Sequence, residues 1–277
     1  MDFHHSNLIH VNRITLNVKS LQKQKRFYHS ILGMPIKHET PIQIIFAIGD
    51  WGDELVLNLL ENGRTAESSE AGLFHLALLL DREEQLGAFI KHMSSHNIPI
   101  GVGDHLVSQA VYFTDFEGNG IEVYVDRPFN KWKWVDDMVK MDTLPLNVED
   151  ILHHAEGTLW GGMKTGVRIG HLHLKAANLT EAQQFYENVG FQLVSTFPKA
   201  LFMSDYHYHH HLALNNWQSH NKRIHLNETY GLTSFNIVKP DATEVALTTP
   251  EGIVMTINRA SKQMLRQLNV SAFVPYQ

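Results

Sequence analysis

The chain has 277 residues, of which 43% are hydrophobic and 19% charged, with a formal net charge of -6 and no cysteine. That length suits two domains or four small repeated units, and the composition is that of an ordinary soluble globular protein. No run approaches the roughly 20 apolar residues of a membrane span, the 23 basic residues form no cationic stripe for phosphate backbones, and disulfide or thiol chemistry is excluded, so neither nucleic acid nor a membrane is an expected partner. The opening MDFHHSNLIHVNR lacks the basic start and continuous apolar region of a secretory signal, so a cytoplasmic location is expected.

Taken in order, "RITLNVKSLQKQKRFYHSILGMPI" from Arg13 reads strand, cap, helix, strand. A second such unit starts with "HLALLLDREEQLGAFIKHM" at His75, where Asp81 and Glu84 stand in a capping relation and Leu86, Phe89, Ile90 and Met93 share the buried side. It closes through "DFEGNGIEV". An irregular stretch, 127 to 168, follows with Trp132, Trp134 and the Gly161-Gly162 pair.

The third unit, "HLHLKAANLTEAQQFYENVGFQLV" from His171, has Asn178 as N-cap, Glu181 three residues on, and Leu179, Ala182, Phe185, Tyr186 and Val189 on one helical face. Gly190 ends that helix. The fourth, "SFNIVKPDATEVALTTPEGIVMTINRA" from Ser234, is shortened where its helix belongs. Arg13 to His75 spans 62 residues and His171 to Ser234 spans 63, which makes two similar halves. The expected organisation is a first domain over 1–128 (units one and two), an irregular linker over 129–165, a second domain over 166–260 (units three and four) and a C-terminal tail over 261–277.

Strand alternation places Ile169, His171, His173 and Lys175 on one face and Leu172 and Leu174 on the other, as it does Arg13, Thr15 and Asn17 against Ile14, Leu16 and Val18. A curved sheet with a partly polar inner face is a pocket candidate. Superimposing the units, the first inward position reads Arg13, His75, His171, Ser234, and the closing strands offer Glu122 in unit two against Val254 in unit four. His75, His171 and Glu122 therefore form a candidate 2-His-1-carboxylate set, an arrangement that holds one face of a cation and leaves others open. Otherwise Glu122 would be an edge-strand carboxylate and the histidines solvated or ion-paired residues.

The segment H-x-V-S-x-A…Y-x-x-D-x-x-G-N-G-I-E-x-Y, running from His105 through Tyr112 to Glu122 and Tyr124, resembles the type I extradiol ring-cleaving dioxygenases of the vicinal-oxygen-chelate superfamily, in particular bacterial catechol 2,3-dioxygenases. The resemblance covers about residues 8 to 258. It implies an α+β fold of four βαβββ-type repeats, the fourth abbreviated, forming two half-open antiparallel-rich barrels of the glyoxalase/bleomycin-resistance/dioxygenase kind. It further implies Fe(II) on His75, His171 and Glu122, with Mn(II) suited to the same ligands. The substrates would be a small aromatic diol and O2, and a homodimer is compatible with the family. By the same resemblance His105 is a histidine behind the metal shell, Tyr112 a hydrogen-bond donor to substrate or oxygen, and His210 in "YHYHHHLALNNW" the acid-base residue, with His209 or His211 fitting after a one-residue slip.

Family members usually carry all three ligands in the second half, whereas unit four here has Ser234 and Val254 at those places. Units two and three are therefore expected to share the metal-bearing cup, and units one and four to form a metal-free one. Two other activities fit the residues: a glyoxalase-like isomerase or lyase, which would want a further ligand near Asn215, and a metal-free protein that sequesters small aromatic molecules.

Overall fold

The computed structural model describes residues 2–5, 7–240 and 242–259, so the tail expected over 261–277 lies outside the described residues. Unit one comprises β1 (His10–Val18), α1 (Leu21–Lys25) running into a π-helical turn over Arg26–Ile31, then β2 (Ile36–Glu39), β3 (Gln43–Ile48) and β4 (Asp53–Leu59). Unit two repeats the order with β5 (Gly72–Leu80), α2 (Glu83–Ser95), β6 (Gly101–Asp104), β7 (Ser108–Thr114) and β8 (Gly120–Asp126). The connecting stretch contributes a small hairpin of β9 (Trp134–Val135) and β10 (Met138–Val139) and the short α3 (Val148–His154). Unit three is β11 (Val167–Lys175), α4 (Leu179–Val189), β12 (Gln192–Phe197), β13 (Ala200–Ser204) and β14 (Leu212–Asn215); unit four is β15 (Gly231–Val238), β16 (Val245–Thr248) and β17 (Val254–Asn258).

Local chemistry sets several of these limits. Ser20 Oγ accepts from Lys23 N at the start of α1, and Asn178 Oδ1 accepts from Thr180 N and Glu181 N at the start of α4. Gly190 ends α4 at φ +123°, a backbone angle that side chains resist. Asp81 does not cap α2: the helix begins after Arg82, which makes no side-chain cap, while the Asp81 carboxylate packs against Gly166 and lies 3.5 Å from Arg82 Nε. Glu83 and Glu84 in the first turn still suit the helix dipole.

The fold is α+β and dominated by curled sheets. One sheet joins units one and four in the order β16-β17-β15-β1-β4-β3-β2; the other joins units two and three as β12-β13-β14-β11-β5-β8-β7-β6. Each sheet thus draws on both halves of the chain, and β5 and β11 meet antiparallel at the middle of the second. Leu76, Leu78 and Leu80 on the outer face of β5 share the core with Leu86, Phe89 and Met93 of α2, and Leu172 and Leu174 of β11 share it with Ala182 and Tyr186 of α4. Each of the leucine, phenylalanine and methionine side chains among them is worth about 1.5–3 kcal/mol when fully buried. The sheets are tied together where Asp53 Oδ2, at the start of β4, accepts from Ile169 N of β11 over 2.7 Å.

Two bulges on the β5–β11 seam shape the cup. Gly170 is an extra residue in β11, so Ile169 turns into the hydrophobic core with Leu172 rather than facing inward with His171 as strict alternation predicts. A Cβ at 170 would lie 2.0 Å from the Tyr124 hydroxyl, and glycine leaves that room. Opposite, Phe74 is an extra residue in β5, which lets the consecutive Phe74 and His75 line the same cavity.

In the sheet of units one and four, Glu54 pairs in register with Arg13 as Glu122 does with Ala77. There the carboxylate is held by Arg13 and Lys37, which lie beside it in a cleft of about 440 Å³. No helix among the described residues is long and apolar enough to cross a membrane.

Candidate metal centre

His75 from β5, Glu122 from β8 and His171 from β11 converge on the floor of the second cup. Glu122 Oε2 lies 2.9 Å from His75 Nε2 and 3.1 Å from His171 Nε2, and the two nitrogens are 3.4 Å apart. All three side chains are buried. Three electron-pair donors bound about 2.1 Å from one cation, at angles between right-angled and tetrahedral, stand roughly 3.0–3.4 Å apart. The observed triangle fits that spacing, so this is a candidate metal site built from neighbouring strands of one rigid sheet.

The electrostatics favour a ligand's protonation states. Burial pushes the Glu122 carboxyl up, but His171 and then His75 outweigh it and hold the group well below the usual carboxylate range. Burial lowers the His171 imidazole to about 4 against the opposing pull of Glu122, so it is neutral at pH 7. His171 Nδ1 is buried with no hydrogen-bond partner among the described residues, which leaves Nε2 as the nitrogen engaged by the site.

Above the triangle lies a cavity of about 290 Å³, walled by Phe74, Phe197, Phe202 and Trp217 and containing no lysine or arginine among its lining residues. His210 enters it with its ring 4.0 Å from that of His171. The neighbouring histidines are directed elsewhere. His211 bonds Ser204 Oγ and the Phe3 carbonyl, away from the cavity. His209 is wholly buried behind His210, with Nδ1 2.8 Å from His210 Nδ1 and Nε2 2.7 Å from Asp126 Oδ1. An ionised Asp126 accepts from His209 Nε2–H; His209 Nδ1 then accepts from His210 Nδ1–H, and His210 Nε2 is left as a lone pair for the cavity. Burial, followed by the neighbouring His171, lowers the His210 imidazole well below its ordinary value.

His105 and Tyr112 stand on the other wall. His105 Nδ1 is 2.9 Å from the Asp142 carbonyl, which fixes the proton there, so Nε2 accepts from the Tyr112 hydroxyl at 2.5 Å. Burial and then Glu122 push the Tyr112 phenol well above its usual range, keeping it a neutral donor.

The structure therefore brings His75, His105, Tyr112, Glu122, His171 and His210 around one cavity. Three further residues, to which the sequence alone assigns no role, stand beside this set. Asp126 and Tyr124 follow Glu122 at steps of two on β8, and that alternation was the available signal. His173, bonded to Asn215 Nδ2 at 2.9 Å, packs its ring 4.7 Å from that of His75.

A family model described as the Glyoxalase/Bleomycin resistance protein/Dioxygenase superfamily matches residues 10–123. Catechol-2,3-dioxygenase of Bacillus subtilis (strain 168) is 34% identical over 245 residues, covering 86% of this chain and 85% of that protein. Among solved structures, a candidate dioxygenase from Bacillus subtilis subsp. subtilis str. 168 superimposes with a TM-score of 0.60 at 11% identity, covering 98% of both chains. A V278E mutant of glyoxalase I from Zea mays gives 0.57 at 10% identity, covering 94% of this chain and 95% of that one. These two likenesses are of fold alone.

Proposed function

The chain belongs to the Glyoxalase/Bleomycin resistance protein/Dioxygenase superfamily, as a catechol-2,3-dioxygenase-like member, and we propose that it is an extradiol dioxygenase acting on a small catechol-type diol with O2 at a single Fe(II). The carbon–carbon bond beside the two hydroxyls breaks, both atoms of O2 enter the product, and the new ends are a carboxylic acid and an aldehyde or ketone. The observation that carries this reading is the triangle of His75 Nε2, His171 Nε2 and Glu122 Oε2 beneath an aromatic-walled cavity.

Fe(II) held by those three residues would supply a redox-active Lewis acid on which the diol oxygens and O2 meet. The chain's own residues do the remaining work. Phe74, Phe202 and Trp217 hold the ring and exclude water from it. His210, with its Nε2 lone pair toward the cavity, takes a proton from a diol hydroxyl and returns it as the ring opens. Tyr112, whose O–H rests on His105 Nε2, would turn that one proton toward developing negative charge on oxygen.

The lining without lysine or arginine supports a substrate without a negatively charged substituent, since a buried carboxylate would meet neither side chain on the wall. A glyoxalase-like isomerase draws less support: the nearest further ligand, Asn215, is occupied by His173. Anaerobic loading with Fe(II), followed by catechol and O2, tests the proposal. The expected result is a yellow ring-opened semialdehyde with one O2 consumed per catechol. If several catechols give neither colour nor oxygen uptake, a sequestering protein replaces it.

A further inference from the structure

Lys175 ends β11 two residues beyond His173 but lines a separate cleft of about 170 Å³, between the start of unit two and the start of unit four. Half-buried there, its Nζ makes no hydrogen bond or ion pair with any described residue. It shares the cleft with the buried guanidinium of Arg223, and the Glu70 carboxylate also acts on its charge. Burial, then the Arg223 charge, lowers the Lys175 ammonium. Arg223 Nε donates to the Ala71 carbonyl over 2.9 Å and Nη1 to that of Tyr230 over 3.2 Å, which leaves Nη2 with no acceptor among the described residues. Gly72 leaves space for this: a Cβ there would lie 2.0 Å from Nη2.

The carboxylates nearby are already committed. Both Glu70 oxygens accept from Arg64, at 2.7 and 3.0 Å, and Arg223 Nε stands 3.7 Å from that group. Both Glu117 oxygens accept backbone protons, from Lys19 N at 2.8 Å and Ser20 N at 2.9 Å. Lys19 Nζ lies 5.0 Å over the Tyr230 ring, and the Tyr230 hydroxyl oxygen accepts from Gly63 N, so its proton remains to be donated. Lys19, Arg64, Lys175 and Arg223 thus outnumber Glu70 and Glu117, on a protein whose net charge is -6. A half-buried ammonium and a guanidinium N–H without a protein acceptor are donors that the oxygens of an anion can take up by charge-assisted hydrogen bonds.

We propose that this cleft is a binding site for a small oxyanion, phosphate or a short carboxylate, which accepts from Lys175 Nζ, Arg223 Nη2 and the Tyr230 hydroxyl. The site is separate from the metal cavity and does not depend on the reaction assigned there. Thermal unfolding of the intact protein, with sodium phosphate or sodium malonate replacing chloride at constant ionic strength, reads it directly. A ligand that binds only the folded state raises Tm; here a saturable rise of about 2–4 °C is expected with at least one of the two anions. The more effective anion identifies the ligand class, and Lys175→Met should abolish its effect. An equal Tm in all three salts, or the same rise in Lys175→Met, overturns the proposal. If Lys175→Met does not fold, calorimetric titration of the wild type and of Tyr230→Phe with the same anion decides: one-to-one binding weakened several-fold by the loss of the hydroxyl sustains it, and no binding or unchanged binding overturns it.

Discussion

His209 Nε2 lies 2.7 Å from Asp126 Oδ1, on the opposite side of the imidazole whose Nδ1 holds His210. Asp126 therefore acts on the cavity through two rings rather than by touching it. Asp126→Asn offers an amide in place of a full acceptor and loosens the choice of which His210 nitrogen keeps the proton. The expected loss is roughly 10- to 100-fold in kcat, part of the 10²–10⁴ that a placed proton-transfer group contributes, with KM and bound iron unchanged. Asp126→Glu should recover part of the rate. A variant that loses iron or KM instead of kcat would contradict this role.

His75→Ala removes one corner of the ligand triangle while leaving the outer face of β5 in the core. The fold should survive, as judged by circular dichroism, but bound iron after anaerobic loading should fall by at least tenfold. Wild-type Tm should rise with added Fe(II) because the ion binds only the folded arrangement; the variant's should not. An equal metal content in both proteins would remove His75 from the ligand set.

The lining of the cavity gives a specificity prediction. With Phe74, Phe197, Phe202 and Trp217 on the wall and no lysine or arginine beside them, 4-methylcatechol should be turned over well and 3,4-dihydroxybenzoate poorly. An unpaired carboxylate costs several kcal/mol to bury, so the ratio of kcat/KM values should exceed about 100. Comparable values would mean that the acid group reaches solvent or a cation outside the cavity.

Much of this was legible in the residues. Asn178 and Gly190 mark both ends of α4, and alternating polar and apolar residues place His171 and His173 opposite Leu172 and Leu174. The absence of ligand types at Ser234 and Val254 pointed to units two and three for the cup that gathers His75, Glu122 and His171. The bulges were hidden because an unpaired strand residue depends on its partner's register, which a single strand does not carry; Gly170 hints at one, and Phe74 gives no sign. Nor could the run His209-His210-His211 be sorted from sequence, since it precedes β14 in an irregular segment where side chains have no fixed alternation.

Asp53 supplies a pH test of how the two sheets are joined. Burial pushes its carboxyl up from 3.8 to about 7, against the opposing Ile169 N–H and the Arg168 charge. The folded state therefore holds a proton that the unfolded chain releases near 3.8. This contribution to stability is fully present below that value and is lost as pH rises through about 7. Asp53→Asn keeps an oxygen for Ile169 N and has no proton to lose. In urea unfolding, the wild type should weaken between pH 5 and pH 8 by on the order of 1–3 kcal/mol more than Asp53→Asn does. The variant should be the more stable of the two at pH 8. Parallel pH profiles would mean that Asp53 is ionised in the folded protein, with Arg168 outweighing burial at the seam between the sheets.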